Sequence, residues 1–365
     1  MDRTKFNCPW ATPTLGSGFF NLQVAAGRWI VLAFLDRADS RTMHDELDEL
    51  FRNAHFDEDR VIFCGIVRAP QSVLENFAKQ TGQAISFVAD PDGMISRSFG
   101  AADKPRLFVL DPMLRAVANI PWDESGAHIK TACEPIRGLP DVDNSAGVPL
   151  TAPALIVPRV LGFELCDFLI QFYQQHAGED SGFMLDVGGK TATLVDHRLK
   201  RRTDLIVASP ELREMIRGQI VRRLLPAMER YFQFKATRMD RYIVACYDSE
   251  VGGHFYRHRD NVNAGAQHRR FALTINLNAD YDGCDLVFPE FGRRAYRAPV
   301  GGALAFSCGA LHQVTPITRG RRFAFLAFLY AEADAARREA NNAKLHDGEL
   351  HYTGAWDRLL PEKAA

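Results

Sequence analysis

The sequence predicts two domains: an α/β domain with a mixed sheet over residues 1–140, and an α+β domain in which helices precede a sandwich or jelly roll of short strands. Three observations predict this. Apolar runs of strand length alternate with helical periodicity as far as Pro121. A turn-rich stretch, "RGLPDVDNSAGVPLTAP", follows from Arg137 to Pro153 and reads as a joint, with the linker itself at 141–153. Beyond it, two long helical stretches give way to many short runs separated by Gly and Asp.

In the first domain, "RWIVLAFL" from Arg28 is a continuous apolar run, the pattern of a strand covered on both faces. The next stretch, from Ser40, is helical: Met43, Leu47, Leu50 and Phe51 share a face and Ser40 can cap it. "RVIFCGIV" from Arg60 is the next strand, and "QSVLENFAKQTG" from Gln71 a helix closed by Gly82. "RLFVLD" and "AVANIP" read as a hairpin turning at Asp111, Pro112 and Met113.

In the second domain, residues 154–332, "GFELCDFLIQFYQQH" is an amphipathic helix with Leu165, Phe168, Leu169 and Phe172 at helical spacing. "PELREMIRGQIVRRLLPAMERYF" is a second helical stretch, interrupted by Pro226. The strand runs are "DRYIVACY", "RRFALTINLN", "DLVF", "RAYRAP", "GALAFS" and "RFAFLAFLY". Residues 333–365 begin Ala- and charge-rich and are expected to form a helical tail.

Composition narrows the function. The chain has 365 residues, 47% hydrophobic and 24% charged, with a formal net charge of −1. No global field recruits nucleic acid or an anionic membrane. The basic run "RLKRRTD", holding Arg198, Lys200, Arg201 and Arg202, reads as a solvated face. No apolar run reaches 18 residues and the first residues lack a secretory pattern, so a cytoplasmic protein is expected. Seven scattered cysteines without a CxxC pair point to reduced thiols, with neither a disulfide framework nor a structural zinc site.

The chemistry-bearing residues lie in the strand region. His258 and Asp260 flank Arg259, and on a strand residues two apart face the same way. His312 lies 54 residues on. Two imidazoles and one carboxylate are the facial ligand set of non-haem Fe(II) sites. Arg322, ten residues past His312, offers a guanidinium that can grip a carboxylate through two hydrogen bonds. If its strand is the antiparallel neighbour of the His312 strand, the two point into one cavity, with Arg321 facing away. Leu304, Phe306 and Phe325 either shield that cavity or form ordinary core. The polar segment 261–270 is either a substrate loop or a surface loop with His268 exposed.

"VLAFLDRADSRTMHDEL", "SFVADPDGMISRSFGA" and "PRLFVLDP" resemble the redoxin branch of the thioredoxin fold. In peroxiredoxins the first piece carries Thr-x-x-Cys; here Ser40 aligns with the Thr and Met43 with the peroxide-attacking Cys. Met forms no thiolate. The resemblance thus implies a thioredoxin-like domain without peroxidase activity. Pro105 aligns with the fold's cis-proline and equally suits a strand start. Cys64, mid-strand, reads as a buried hydrophobe.

From Ala152 to Tyr330, "APALIVPRVLGFELCDFLIQF", "VACYDSEVGGHFYRHRDN", "LTINLNADYDGCDLVFP" and "HQVTPITRGRR" resemble, in order, the prolyl 4-hydroxylase family of Fe(II)/2-oxoglutarate dioxygenases. The resemblance implies a double-stranded β-helix with supporting helices, iron on His258, Asp260 and His312, and 2-oxoglutarate on Arg322 and Tyr247. It also implies O2 as cosubstrate, ascorbate as reductant, and a proline-containing peptide or protein as substrate, with no nucleic acid or membrane partner. Cys284 stands where the family commonly has a second Gly, and the interval from Tyr247 to His258 is one residue longer than in the oxygen-sensing members. Two other readings stay open: a hydroxylase of a free amino acid or other small molecule, and a redox or partner-binding protein with a sensory oxygenase-like half.

Overall fold

The computed structural model describes residues 11–14, 18–35, 41–70, 74, 85–102, 105–122, 127–187, 190–346 and 358–359; the side chains of 11–21, 41–44, 127 and 187 lie outside that description. The chain divides into two compact units, one of residues 1–152 with 288–294, the other of 153–287 with 295–365.

In the first unit, strands β1 (Ala11–Thr14), β2 (Gly18–Asn21), β3 (Trp29–Leu35), β4 (Val61–Val67), β5 (Ile85–Ala89), β6 (Arg106–Leu110) and β7 (Ala116–Pro121) form one sheet in the order β2-β1-β5-β4-β3-β6-β7. The β3–β4 and β4–β5 pairs are parallel and the others antiparallel, giving the mixed sheet expected. Every residue of β3 and β4 is buried, as their unbroken apolar runs require. Helices α1 (Arg41–Ala54) and α3 (Ala127–Arg137), on either side in sequence of the short α2 (Met94–Ser98), bring Leu47, Leu50, Ile129 and Ile136 into one core with Val31 and Phe63. Asp111 shapes the β6–β7 turn by accepting from the backbone of Met113 and Arg115. Pro105 directly precedes β6, and its carbonyl accepts from Trp122 at 3.0 Å. Ser40, the Met43 side chain, Cys8 and, apart from buried Leu74, the helix expected from Gln71 lie outside the described residues.

The second unit holds two facing sets of strands. Its strands are β8 (Ala154–Val157), β9 (Glu179–Asp180), β10 (Phe183–Val187), β11 (Lys190–Leu194), β12 (Lys200–Arg201), β13 (Thr203–Ile206), β14 (Arg238–Asp248), β15 (His254–His258), β16 (Phe271–Asn276), β17 (Asp282–Gly283), β18 (Leu286–Val287), β19 (Ala295–Tyr296), β20 (Ala303–Ser307), β21 (His312–Val314), β22 (Ile317–Arg319) and β23 (Arg321–Tyr330). A major antiparallel sheet runs β8-β20-β16-β23-β14-β13-β9 and a minor one β12-β15-β21-β18-β19; β10–β11 and β17–β22 are separate pairs. This is the jelly-roll arrangement.

Helices α4 (Phe163–His176), α5 (Pro210–Arg223) and α6 (Leu225–Phe232) pack on the major sheet through Leu169, Ile216, Ile220 and Met228 against Val244, Leu273 and Phe325. Ser209 caps α5 by accepting from Leu212. The buried stripe of α4 is Leu165, Cys166, Leu169 and Tyr173. Phe168, expected on that stripe, is exposed, because position 168 lies a third of a turn away from the 165–169–173 row. Helix α7 (Glu332–Asn341) opens the C-terminal segment, followed by one 3₁₀ turn at Asn342–Lys344; Arg358 and Leu359 return to the unit, Arg358 as a bridge partner of Arg238.

Two further expectations are corrected. In "RLKRRTD", Lys200 is 5% exposed and Arg202 is bound by Asp204. The run reads as surface because charged, yet Lys200 of β12 turns inward while Arg201 is exposed, and Arg202, just past β12, is held by Asp204. His268 is 1% exposed rather than on an open loop; its Nε2 lies 3.2 Å from Asp240, which also accepts from Arg338 of α7 at 2.6 Å.

Burial pushes the Asp240 carboxyl up, but Arg338 and His268 hold it well below the usual carboxylate range. A carboxyl depressed in the folded state stabilises fully above its unfolded value, near pH 3.9, and loses that contribution as pH falls toward the folded value. Asp240→Asn therefore lowers stability by about 1.5–3 kcal/mol at neutral pH, since it takes the charged acceptor from half-buried Arg338. Urea unfolding at pH 7 and pH 3 checks this: the wild-type minus variant difference narrows at pH 3.

Candidate metal centre

His258 closes β15 and His312 opens β21, and the antiparallel register sets them opposite each other. Asp260, two residues past His258, is held by its backbone N–H on the carbonyl of Cys308 at 3.0 Å. Its two carboxylate oxygens lie 3.5 Å from His258 Nε2 and 3.4 Å from His312 Nε2. One ligand atom from each residue falls within 4.8 Å of the other two.

Backbone carbonyls orient both rings. His258 Nδ1 is 2.8 Å from the carbonyl of Tyr256, and His312 Nδ1 is 3.0 Å from that of Ala310. Carbonyls only accept, so each Nδ1 carries the proton and each Nε2 turns a lone pair toward Asp260. Phe255 stacks on His258 at 3.6 Å between centroids, and Phe306 meets His312 edge-on at 4.6 Å. Burial, with His258 alongside, pushes His312 down to about 4, so its ring is neutral at pH 7. Burial pushes Asp260 up, but His312 and His258 hold it well below the usual carboxylate range. Two imidazole nitrogens and one carboxylate on one side of a point fit a divalent iron.

Arg322 reaches the same interior from the opposite sheet. The His312 and Arg322 strands are not neighbours, contrary to expectation: β21 belongs to the minor sheet, and β23 lies between β16 and β14 in the major one. The 3-residue strand β22 between them turns away to pair with β17. Strand β20 links the two sites, because Leu304 lines the cleft at Arg322 while Phe306 faces His312. Phe325 belongs to the helix-side core. Arg321 is exposed on the other face and pairs with Asp248 at 3.0 Å.

Arg322 is 4% exposed. Among the described residues its acceptors are neutral: Asn276 Oδ1, Thr274 Oγ1 and the Cys284 carbonyl at 2.9–3.2 Å, and Cys284 Sγ at 3.8 Å. Among the described residues no carboxylate pairs with it. In the same cleft Tyr281 is 1% exposed, and among the described residues its hydroxyl has no hydrogen-bond partner. Burial pushes this phenol up, which keeps it a protonated donor. A buried cation without a counter-charge beside an orphaned hydroxyl fits a small anion. Tyr281 was missed in the sequence because its spacing carries no motif. Tyr247 pairs with Arg322 in register; its ring lies 5.6 Å from the guanidinium, and its hydroxyl accepts from Arg202 at 3.3 Å. Cys284, with φ 58, takes the left-handed turn conformation that Gly would favour, and its carbonyl serves Arg322.

A two-histidine, one-carboxylate cluster inside a jelly roll defines the class of non-haem iron oxygenase centres. In agreement, residues 242–330 match the model of the 2OG-Fe(II) oxygenase superfamily and residues 8–117 that of the AhpC/TSA family. The chain thus carries a C-terminal 2OG-Fe(II) oxygenase domain and an N-terminal AhpC/TSA redoxin domain. A PKHD-type hydroxylase of Synechococcus sp. (strain JA-2-3B'a(2-13)) is 29% identical over 133 residues, 32% of this chain and 58% of the relative. One from Paracoccus denitrificans is 32% identical over 159 residues, 40% of this chain and 66% of that protein. The chain thus spans less than two thirds of these relatives' length. A Trichoplax adhaerens prolyl hydroxylase, solved with a hypoxia inducible factor peptide fragment, shows 19% identity and a TM-score of 0.42 over 51% of this chain and 87% of that one. Among the described residues no helix is long and apolar enough to cross a membrane.

Asp260→Ala removes the only carboxylate of the cluster. Anaerobic titration with Fe(II), or with Mn(II) as a stable substitute, should show affinity falling by at least about 100-fold, beyond the 10–100-fold typical of losing a ligand's supporting partner.

Proposed function

We propose that this chain is a 2-oxoglutarate- and O2-dependent hydroxylase using non-haem Fe(II), acting on a prolyl residue of a peptide or protein in the cytoplasm, with ascorbate as reductant. The observation that carries the oxygenase reading is the pairing of the His258–Asp260–His312 cluster with a buried, carboxylate-free Arg322 in one jelly-roll interior. The PKHD-type relatives support hydroxylation as the reaction class.

His258, Asp260 and His312 would hold the iron, leaving its remaining positions for cosubstrate. Iron and 2-oxoglutarate, when bound, supply the oxidative chemistry: O2 is consumed, 2-oxoglutarate becomes succinate and CO2, and one oxygen atom enters a substrate C–H bond. The protein supplies position and shielding. Arg322 takes the distal carboxylate through its two-pronged guanidinium, and Tyr281 donates its free hydroxyl to the same group. Tyr247 supports the underside of Arg322. Phe255 and Phe306 shield the imidazoles from water.

The redoxin domain is read as silent toward peroxide. Met43 stands where the resemblance places the reactive Cys, and burial pushes the Cys64 thiol up to about 12. It serves the hydroxylase by binding a partner or substrate.

Succinate release from 2-oxoglutarate, measured on Fe(II)-loaded protein with and without proline-containing peptides, tests this reading. Wild type should turn over and Asp260→Ala should not. Iron-independent release, or full activity in the variant, would defeat it. Arg322→Ala should raise the KM for 2-oxoglutarate by about 100-fold and Tyr281→Phe by about tenfold, in keeping with about 1.5–3 kcal/mol for a charged hydrogen bond and about 1 kcal/mol for a neutral one. An unchanged KM in Tyr281→Phe would return the hydroxyl role to Tyr247.

A further inference from the structure

Beside the metal cluster, two guanidinium groups and a buried lysine amine of the second unit gather under the β10–β11 hairpin. Arg269 is 6% exposed; its Nη1 lies 3.4 Å from the Asp260 carbonyl, its guanidinium 4.0 Å from the Phe328 ring centroid, and its buried Nε has no partner among the described residues. Arg241 stands at the bulge of β14 with φ 58, an uncommon conformation for a long side chain, and is exposed. The two guanidinium groups converge on one thioether: Met184 Sδ lies 3.6 Å from Arg241 Nη2 and 3.8 Å from Arg269 Nη2. Lys200 is 5% exposed, with Nζ 2.6 Å from both Ser181 Oγ and the Gly182 carbonyl and 4.9 Å from the centroid of Phe255, the ring stacked on His258. Burial, then Arg202 and Arg241, push this lysine well below the usual lysine range.

The neighbouring carboxylates are already engaged. Asp204 receives Arg202 through two bonds of 2.6 and 2.7 Å, and Asp240 receives Arg338 and His268. Asp260 faces the imidazoles. Among the described residues no other carboxylate lies in ion-pair reach of Lys200, Arg241 or Arg269. Arg269 is a buried cation without a counter-charge, a desolvation cost that a bound anion relieves, and exposed Arg241 stands beside it. The hairpin is fixed over them by Asn263 Nδ2 on the Met184 carbonyl at 2.6 Å and by Gly265 N–H on Thr191 Oγ1 at 2.9 Å.

We propose that Arg241 and Arg269, backed by Lys200, form a recognition site for a carboxylate of the substrate, close to the C–H bond that is hydroxylated. This rests on the hydroxylase reading above. Two guanidinium groups meeting at one thioether form a rigid pronged donor set, and Phe328 and Met184 wall it with apolar surface. The carboxylate belongs either to an acidic side chain next to the target residue of a peptide, or to the free end of an amino acid.

Fluorescence anisotropy on the full chain tests this with a labelled proline peptide carrying Glu beside the proline. Its Gln counterpart, L-proline and L-prolinamide serve as competitors. The Glu peptide should bind at least about tenfold more tightly than the Gln one, a gap that narrows as salt shortens the screening length below ~10 Å. Arg241→Glu should erase the gap, and Arg241→Lys should keep most of it. Displacement by L-proline but not prolinamide would assign the carboxylate to a free amino acid. Equal binding of the Glu and Gln peptides together with equal competition by L-proline and prolinamide, or no binding by any of them, would overturn the proposal. If iron-dependent succinate release persists in that case, only the carboxylate site falls. If no succinate forms in any condition, the hydroxylase reading falls with it.

Discussion

A carboxylate held between two imidazoles is the constraint around which the second unit is organised. Asp260 is nearly enclosed, its two oxygens 3.5 and 3.4 Å from His258 and His312, and an ion shared by the three groups requires those distances to be fixed. That requirement sets the β15–β21 register, since the two rings come from paired positions on adjacent strands. It also accounts for the carbonyls of Tyr256 and Ala310, which leave each ring only one nitrogen to offer. The major sheet then adds what the minor sheet lacks, a guanidinium on the far wall whose acceptors are all neutral.

Much of this was legible in the residues, and the gaps have physical causes. The unbroken apolar runs of β3 and β4 announced strands covered on both faces, because only such strands tolerate apolar residues at every position. The His-x-Asp spacing singled out two of the three residues, but Asp260 lies in the turn just past β15 and is placed by its backbone bond to Cys308, not by strand alternation. What periodicity could not convey was strand neighbourhood. His312 and Arg322 are ten residues apart yet sit in opposite sheets, because β22 diverts the chain to β17. Charge misled as well. Lys200 and Arg202 read as surface, and their burial depends on Ser181, Gly182 and Asp204, partners that only the folded chain brings near. His268 was obscure for the same reason, its partners Asp240 and Arg338 being 28 and 70 residues away.

The redoxin unit presents the reverse case. Its architecture was plain from the alternation of strands and helices, while its chemistry was readable chiefly as a substitution, Met43 at the position where the family resemblance expects a nucleophile. Its mixed sheet encloses a buried core, and burial there pushes the Cys64 thiol up to about 12.

The β10–β11 hairpin pairs with neither large sheet and is fastened largely by side-chain and loop hydrogen bonds to the segment after Asp260. Strands inside a jelly roll are tied to neighbours on both sides, so a change in one disturbs the register of the others. The hairpin carries no such obligation. It can therefore diverge in sequence while the metal ligands and Arg322 stay fixed, which makes it the part of the molecule where a lineage could acquire a new preference without rebuilding the oxidative core.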